Sequence, residues 1–173
     1  MVGCFLDDKI PFCELFVIPY VVWYFYLAVV HIYTLLADIS AFKKLMWFLI
    51  ITFGITTVIY ILFPNMQMLR PSEFERENAL TRLVYLLYAV DTNTNVCPSL
   101  HVIGSFAALF AAWNAKGLNN LPFRLFFVFM TIIICASTVL IKQHSIIDVI
   151  FGTLLSVAVY QFVFKKQKRR QEL

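Results

Sequence analysis

Two short polar stretches organise this chain: CPSLH at residues 97–101 and KQHSIID at residues 142–148. A long apolar run follows each stretch, so we expect each to lie at the mouth of a membrane helix. His144 and Asp148 are four residues apart, which puts them on one face of a helix with the carboxylate within reach of the imidazole. A carboxylate on one ring nitrogen fixes the tautomer and leaves the other nitrogen as a base or nucleophile. We expect His101 to supply a proton from across the site.

Other polar residues beside the apolar runs predict a phosphate site between these histidines. Arg70 can offer planar, bidentate donors to a phosphate. Ser99 falls in the first turn of a helix, where unpaired N–H groups and the positive end of the dipole favour an anion. Lys142 either adds charge to this site or extends its ammonium to the head-group level. Polar groups within a membrane are functional by default. His144 and Asp148 alone would favour a hydrogen bond between helices, but their combination with the other motifs on one side of the membrane favours a site.

The composition is that of a membrane protein. Of 173 residues, 61% are hydrophobic and only 14% are charged, so the chain lacks the polar surface of a soluble domain. Because a bilayer core takes about 20 residues to cross, the apolar runs predict five spanning helices. They cover residues 12–36, 45–63, 98–113, 122–141 and 144–164. We therefore predict an all-α, polytopic membrane helix bundle that forms a single domain over residues 1–173.

The longest non-spanning stretch, residues 64–97, contains an amphipathic pattern. Five apolar residues recur there at helical spacing: Leu80, Leu83, Val84, Leu87 and Val90. This pattern predicts an amphipathic helix on the outer surface. It can serve as a lid packed on the bundle or as a ramp that guides a lipid head group.

The charge distribution predicts the orientation. The formal net charge of +4 does not indicate nucleic-acid binding, because the basic residues lie at membrane flanks. If the basic tail 165–170 is cytoplasmic, five crossings also place Lys43, Lys44, Lys116 and Arg124 inside. The acidic loops 7–14 and 73–91 then fall outside, as the positive-inside rule requires. Both polar stretches thus face the outer side of a cell membrane, or the equivalent side of an organelle membrane.

These motifs resemble the type 2 phosphatidic acid phosphatase superfamily over about residues 63–152. That family has a lysine, six residues and Arg-Pro, then Pro-Ser-Gly-His, then Ser-Arg, five residues, His, three residues and Asp. The first motif matches Arg70 and Pro71, the second Pro98, Ser99 and His101, and the third Ser137, His144 and Asp148. Three positions depart from the pattern: Phe63 replaces the lysine, Leu100 the glycine and Thr138 the arginine.

The resemblance implies phosphoryl chemistry in a bundle of six spanning helices. One N-terminal helix is absent here, either because this branch does without it or because the recorded start lies downstream. The sphingolipid head-group transferase branch is similar in lacking some of the basic residues while keeping the two histidines and the aspartate. Whether water or an alcohol accepts the phosphoryl group stays open.

The paired histidines and the phosphate site predict a lipid phosphatase with a phosphohistidine intermediate. His144 is the expected nucleophile held by Asp148, His101 the acid, and Arg70, Ser99 and Lys142 the phosphate-binding residues. The expected substrate is a phospholipid or isoprenoid phosphate, with no metal or cofactor.

Three alternatives remain. The first is a phosphotransferase that moves a phospho-head group to a lipid or polyol hydroxyl. The second is a metal enzyme that uses His101, His144 and Asp148 as ligands. The third is a non-enzymatic transporter or assembly factor.

Overall fold

The computed structural model describes residues 1–165, and apart from one isolated bridge between Met66 and Thr94 its regular structure is helical. A 3-10 turn, Glu14–Phe16, leads into α1 (Val17–Ala37), and α2 (Ile39–Leu62) follows at once. The order continues with α3 (Ala79–Val90), α4 (Leu100–Asn114), α5 (Leu121–Leu140) and α6 (Ile146–Tyr160), then a π-helical turn, Gln161–Lys165. The predicted all-α membrane bundle is confirmed.

Within residues 1–165, four helical segments are long and apolar enough to cross a bilayer. They are Glu14–Ala37, Ile39–Leu62, Leu121–Leu140 and Ile146–Lys165. These segments correspond to the first, second, fourth and fifth predicted spans. The third predicted span is α4, which has 15 residues and is therefore about 22 Å long, shorter than the bilayer core of about 30 Å.

The helix α4 is the central helix of the bundle. The helices α1, α2, α5 and α6 all pack against it. Its buried residues include several small ones, which let neighbouring backbones approach closely: Gly104, Ser105, Ala107, Ala108, Ala111 and Ala112. Since protein rather than lipid surrounds α4, the rule that relates helix length to bilayer thickness does not set its ends.

The predicted amphipathic helix is α3, which begins at an Asn78 cap. Val84 is fully buried, and Leu80, Leu83 and Leu87 pack with it against the start of α1 and the end of α5. One of the five predicted apolar residues differs from the prediction. Val90 is 87% exposed, because the helix ends there and the chain turns towards the site. Tyr88 packs inward and donates a hydrogen bond to the carbonyl of Ile141.

The loops sort to two ends of the bundle. One end carries α3 and the first residues of α4 and α6. At the other end the backbone N–H of Lys116 donates to Asp38 Oδ2 at 3.0 Å, so the basic turn between α4 and α5 meets the turn between α1 and α2. The basic tail 166–170 lies outside the described residues, and the side of the membrane that each end faces stays a prediction.

Candidate active site

His144 and Asp148 meet at the start of α6. His144 Nδ1 lies 3.2 Å from Asp148 Oδ2, and both side chains are buried. The same oxygen accepts the backbone N–H of Ser145 at 3.0 Å, which closes a capping box around the helix cap Ser145. His144 thus precedes the helix, and the capping box joins the pair instead of a shared helical face. With Nδ1 engaged, Nε2 is the ring nitrogen left for chemistry.

The first turn of α4 brings His101 to the same place. The His101 and His144 ring centroids are 5.9 Å apart. The backbone N–H of Ser99 donates to the carbonyl of Asp148 at 3.2 Å, which ties the start of α4 to α6. Gly152, one turn further along α6, permits this contact, because a Cβ there would lie 3.1 Å from the Ser99 carbonyl oxygen.

The two histidines line a cavity of about 80 Å³. Its other lining residues come from α2, the start of α4 and the loop that follows α3: Tyr60, Asp91, Thr92, Thr94, Asn95, Val96 and Leu100. Leu100, at the glycine position of the family motif, therefore forms part of the wall. Phe63 is 70% exposed and Thr138 is fully buried, and neither lines the cavity.

Arg70 lies behind this wall. Its guanidinium donates to the carbonyl oxygens of Tyr88 and Asp91 and to Gln143 Oε1, the last at 2.8 Å. It also stacks on the Tyr88 ring at 4.3 Å. Burial lowers the pKa of Arg70 below its ordinary value. In this arrangement the side chain fastens the Asp91 loop and does not line the cavity.

Lys142, like Arg70, donates hydrogen bonds to backbone carbonyl groups. Its Nζ donates to the carbonyl oxygens of Asp7 and Ile10, both at 2.6 Å. These residues belong to what we call the N-terminal strap, residues 2–13. Lys142 also has a positive φ of 55°, which turns the chain from α5 into the histidine loop, residues 141–145. Lys142 is not among the residues that line the cavity.

Asp7 of the strap is a site-supporting residue that sequence reasoning missed. It is 1% exposed. Its carboxylate accepts Ser145 Oγ–H at 2.7 Å, the Ile146 N–H at 2.9 Å and the Cys4 N–H at 2.7 Å. Burial acts to raise the pKa of Asp7, but these hydrogen bonds together lower it below its ordinary value. No local pattern reveals this role, because the partners lie at opposite ends of the chain.

Tyr20 and Asp91 are two further missed residues beside His101. Tyr20 is fully buried, and its hydroxyl donates to Asp91 Oδ2 and lies 3.4 Å from His101 Nδ1. Sequence reasoning assigned neither residue to the site, because the two are distant from His101 in the chain and only the fold brings their side chains to it.

Two other chemistries, a cysteine nucleophile and a bound metal ion, find less support in the geometry. Burial, followed by the neighbouring Asp148 carboxylate, raises the pKa of the Cys97 thiol to about 12, which disfavours the thiolate form that a nucleophile needs. Within residues 1–165, no three His, Cys, Asp or Glu side chains are grouped as a metal ion requires. The metal hypothesis therefore has no donor set in that part of the chain.

Comparison with known proteins identifies the family. The model of the PAP2 superfamily matches residues 45–172, which is well over half of the chain. No curated protein and no solved structure matches. The matched range contains all three motifs and both histidines, and the family supports an activity of the phosphatase or phosphotransferase type. This chain belongs to the PAP2 superfamily.

Proposed function

We propose that this protein is a membrane lipid phosphatase that hydrolyses a phosphate monoester or pyrophosphate of a lipid through a phosphohistidine intermediate. The observation that carries the proposal is the pairing of two histidines across a small cavity. His144 has its Nδ1 held by Asp148, and the buried Nε2 of His101 has no hydrogen-bond partner among the residues that the structure describes. A nucleophile oriented by a carboxylate and facing an acid suits phosphoryl transfer.

In the first step, Nε2 of His144 attacks phosphorus and forms a P–N bond while the bond from phosphorus to the leaving oxygen breaks. His101 begins this step protonated on both ring nitrogens, donates its Nε2 proton to that oxygen and becomes neutral. In the second step, His101 takes a proton from water, the resulting hydroxide attacks phosphorus, and the P–N bond breaks to release inorganic phosphate. Asp148 holds the His144 ring in both steps and balances the positive charge that develops on it.

The start of α4 offers the phosphoryl oxygens a site. Ser99 Oγ accepts the N–H of Val102, so the amides of Leu100 and His101 have no partner within the helix. Such amides, together with the helix dipole, stabilise an anion. Arg70 and Lys142 then contribute positive potential from behind the loops, without direct contact. The proposed location is a cell membrane, with the cavity on the outer face and the C-terminus in the cytoplasm.

Phosphate release by purified protein in detergent tests this proposal. Wild type, His144→Ala and His31→Ala are compared on a panel of lipid phosphates. In parallel, a ³²P-labelled substrate is used to trap acid-labile ³²P on the protein. His31 is a matched control, because it bonds to the Leu27 carbonyl within α1. We expect release and labelling in wild type and His31→Ala and neither in His144→Ala. Equal release by His144→Ala would refute the phosphohistidine route.

The alternative is a phosphotransferase that passes a phospho-head group to a lipid or polyol hydroxyl. It is favoured by the cavity wall, where Thr92, Thr94 and Asn95 offer hydroxyl and amide groups and no lysine or arginine of residues 1–165 takes part. A phosphodiester carries one negative charge and needs fewer cations than a monoester dianion. An alcohol acceptor added to the assay separates the two functions, because a transferase yields a new phosphodiester in place of inorganic phosphate.

A further inference from the structure

The surroundings of His101 contain a second orienting system. Its ring lies between two aromatic rings of α1, with centroid distances of 4.2 Å to Tyr20 and 4.2 Å to Trp23. Trp23 reaches this position because Gly104 has no side chain, as a Cβ there would meet the Trp23 ring at 2.7 Å. The ring plane of His101 is therefore fixed by packing, which leaves its proton positions to be set by hydrogen bonds.

The hydrogen bonds around Tyr20 determine those proton positions. A tyrosine hydroxyl has a single proton, and the Tyr20 hydroxyl donates it to Asp91 Oδ2. The contact of 3.4 Å between Tyr20 Oη and His101 Nδ1 is then a hydrogen bond only if Nδ1–H is the donor. His101 thus carries its proton on Nδ1 when neutral, and its lone pair is on Nε2, the nitrogen that has no partner within residues 1–165.

We propose that Tyr20 and Asp91 are positioning residues that hold the Nδ1 proton of His101 and thereby make Nε2 its proton-exchanging atom. The proposal rests on the function inferred above. Tyr20 and Asp91 orient the His101 ring as Asp148 orients the His144 ring. Each histidine has Nδ1 directed to a carboxylate, in one case directly and in the other through a phenol. As an acid, His101 carries a proton on each ring nitrogen. When the leaving oxygen takes the Nε2 proton, Nδ1–H stays hydrogen-bonded to Tyr20 Oη and the His101 ring becomes neutral.

Asp91 suits this role because the surrounding loop is anchored independently of its carboxylate. Its backbone carbonyl accepts hydrogen bonds from Arg70 and from Gln143 Nε2, the latter at 3.0 Å. An Asp91→Asn change therefore removes the charge and keeps the backbone contacts. Tyr20→Phe likewise keeps the ring against His101 and removes only the hydroxyl.

The test compares two substrates that differ in their need for an acid. A lipid phosphate releases a poor leaving oxygen that must be protonated, whereas p-nitrophenyl phosphate releases a phenolate that leaves without a proton. Because His101 also activates water in the second step for either substrate, the first step is measured alone, as single-turnover formation of the phosphoenzyme. We expect Tyr20→Phe and Asp91→Asn to lower this rate with the lipid by about 100-fold, with a change below about tenfold with p-nitrophenyl phosphate. Tyr33→Phe is the matched control, because it removes a hydroxyl bonded to the Lys116 carbonyl at the far end of α1. Equal losses on both substrates, or no loss on either, would overturn the proposal.

A second measurement does not depend on activity. The chain has three histidines, so ¹⁵N-histidine NMR with single His→Gln variants assigns every ring. We expect the Nδ1–H tautomer for His101 in wild type and in Tyr33→Phe, and a shift towards Nε2–H in Tyr20→Phe. An unchanged His101 tautomer in Tyr20→Phe would refute the proposal even if the wild type hydrolyses no phosphate. Wild-type inactivity with the expected NMR result would instead count against the proposed function alone.

Discussion

Replacing Asp7 with alanine tests whether the N-terminal strap holds the histidine loop in place. The change removes the acceptor of Ser145 Oγ–H at 2.7 Å and of the Ile146 N–H at 2.9 Å, two bonds that join opposite ends of the chain. A hydrogen bond to a charged group contributes about 1.5–3 kcal/mol. At the low end of that range, the two bonds stabilise the fold by about 3 kcal/mol. We therefore expect Tm to fall by roughly 6–12 °C.

Activity should fall as well, because Ser145 lies between His144 and the start of α6. A displacement of a reacting group by about 1 Å can cost on the order of 100-fold in rate, and we expect a loss between that value and about tenfold. Thermal unfolding in detergent and phosphate release are measured together on wild type, Asp7→Ala and Asp8→Ala. Asp8 is an exposed neighbour and controls for loss of charge from the strap. Equal Tm and rate for the two variants would refute this account of the strap.

The pH dependence of the same contact has a definite sign. The folded-state pKa of Asp7 lies below its ordinary value of 3.8. The stabilisation by the ionised carboxylate is therefore fully present above the unfolded-state pKa, and it is lost as the pH falls through the folded-state pKa. The difference in Tm between wild type and Asp7→Asn should thus be constant at neutral pH and shrink below pH 3.8. A difference that grows on acidification would contradict the assignment.

Two further substitutions test the packing and the electrostatics of the site. Gly152→Ala places a Cβ 3.1 Å from the Ser99 carbonyl oxygen and should push α4 away from α6. We expect this displacement to lower phosphate release by about tenfold or more. Gly54→Ala is the control and should leave the rate unchanged, because nothing lies within 4 Å of the added Cβ. Arg70→Lys should lower both Tm and activity, because an ammonium cannot form the forked contacts with the Asp91 loop. If Arg70→Lys instead raises KM for phosphate substrates and leaves Tm unchanged, Arg70 contacts the phosphate directly.

The periodicity of the sequence was enough to predict most of the fold. Long apolar runs set the four spanning segments, and the spacing of Leu80, Leu83 and Val84 set the buried face of α3. The pattern could not show that α4 occupies the centre of the bundle, because a helix surrounded by lipid and a helix surrounded by protein have the same apolar sequence pattern. The small residues Gly104 and Ala108 are the signal for that position, because they permit close packing on several sides.

The site was less predictable, because its supporting contacts join distant segments. The histidines and Asp148 follow from motif order, and the structure brings these three together. Arg70 and Lys142 were expected to bind phosphate because of their charge and their level in the membrane. Their cations instead contact carbonyl groups of neighbouring loops, a choice that depends on which unpaired carbonyls the fold brings near them. A sequence without its fold does not contain that information.

The altered motif position at Thr138 shows how the histidine geometry persists without the family's arginine. The Thr138 carbonyl accepts the N–H of Gln143 at 3.0 Å and the N–H of His144 at 2.9 Å, so the backbone at this position holds the histidine loop. Any residue at position 138 can make these bonds, because they involve no side-chain atom. Thr138 Oγ1 meanwhile bonds to the Cys135 carbonyl and is satisfied within α5. Position 138 therefore supports the placement of His144 through its backbone, and its side chain, which does not line the cavity, takes no part.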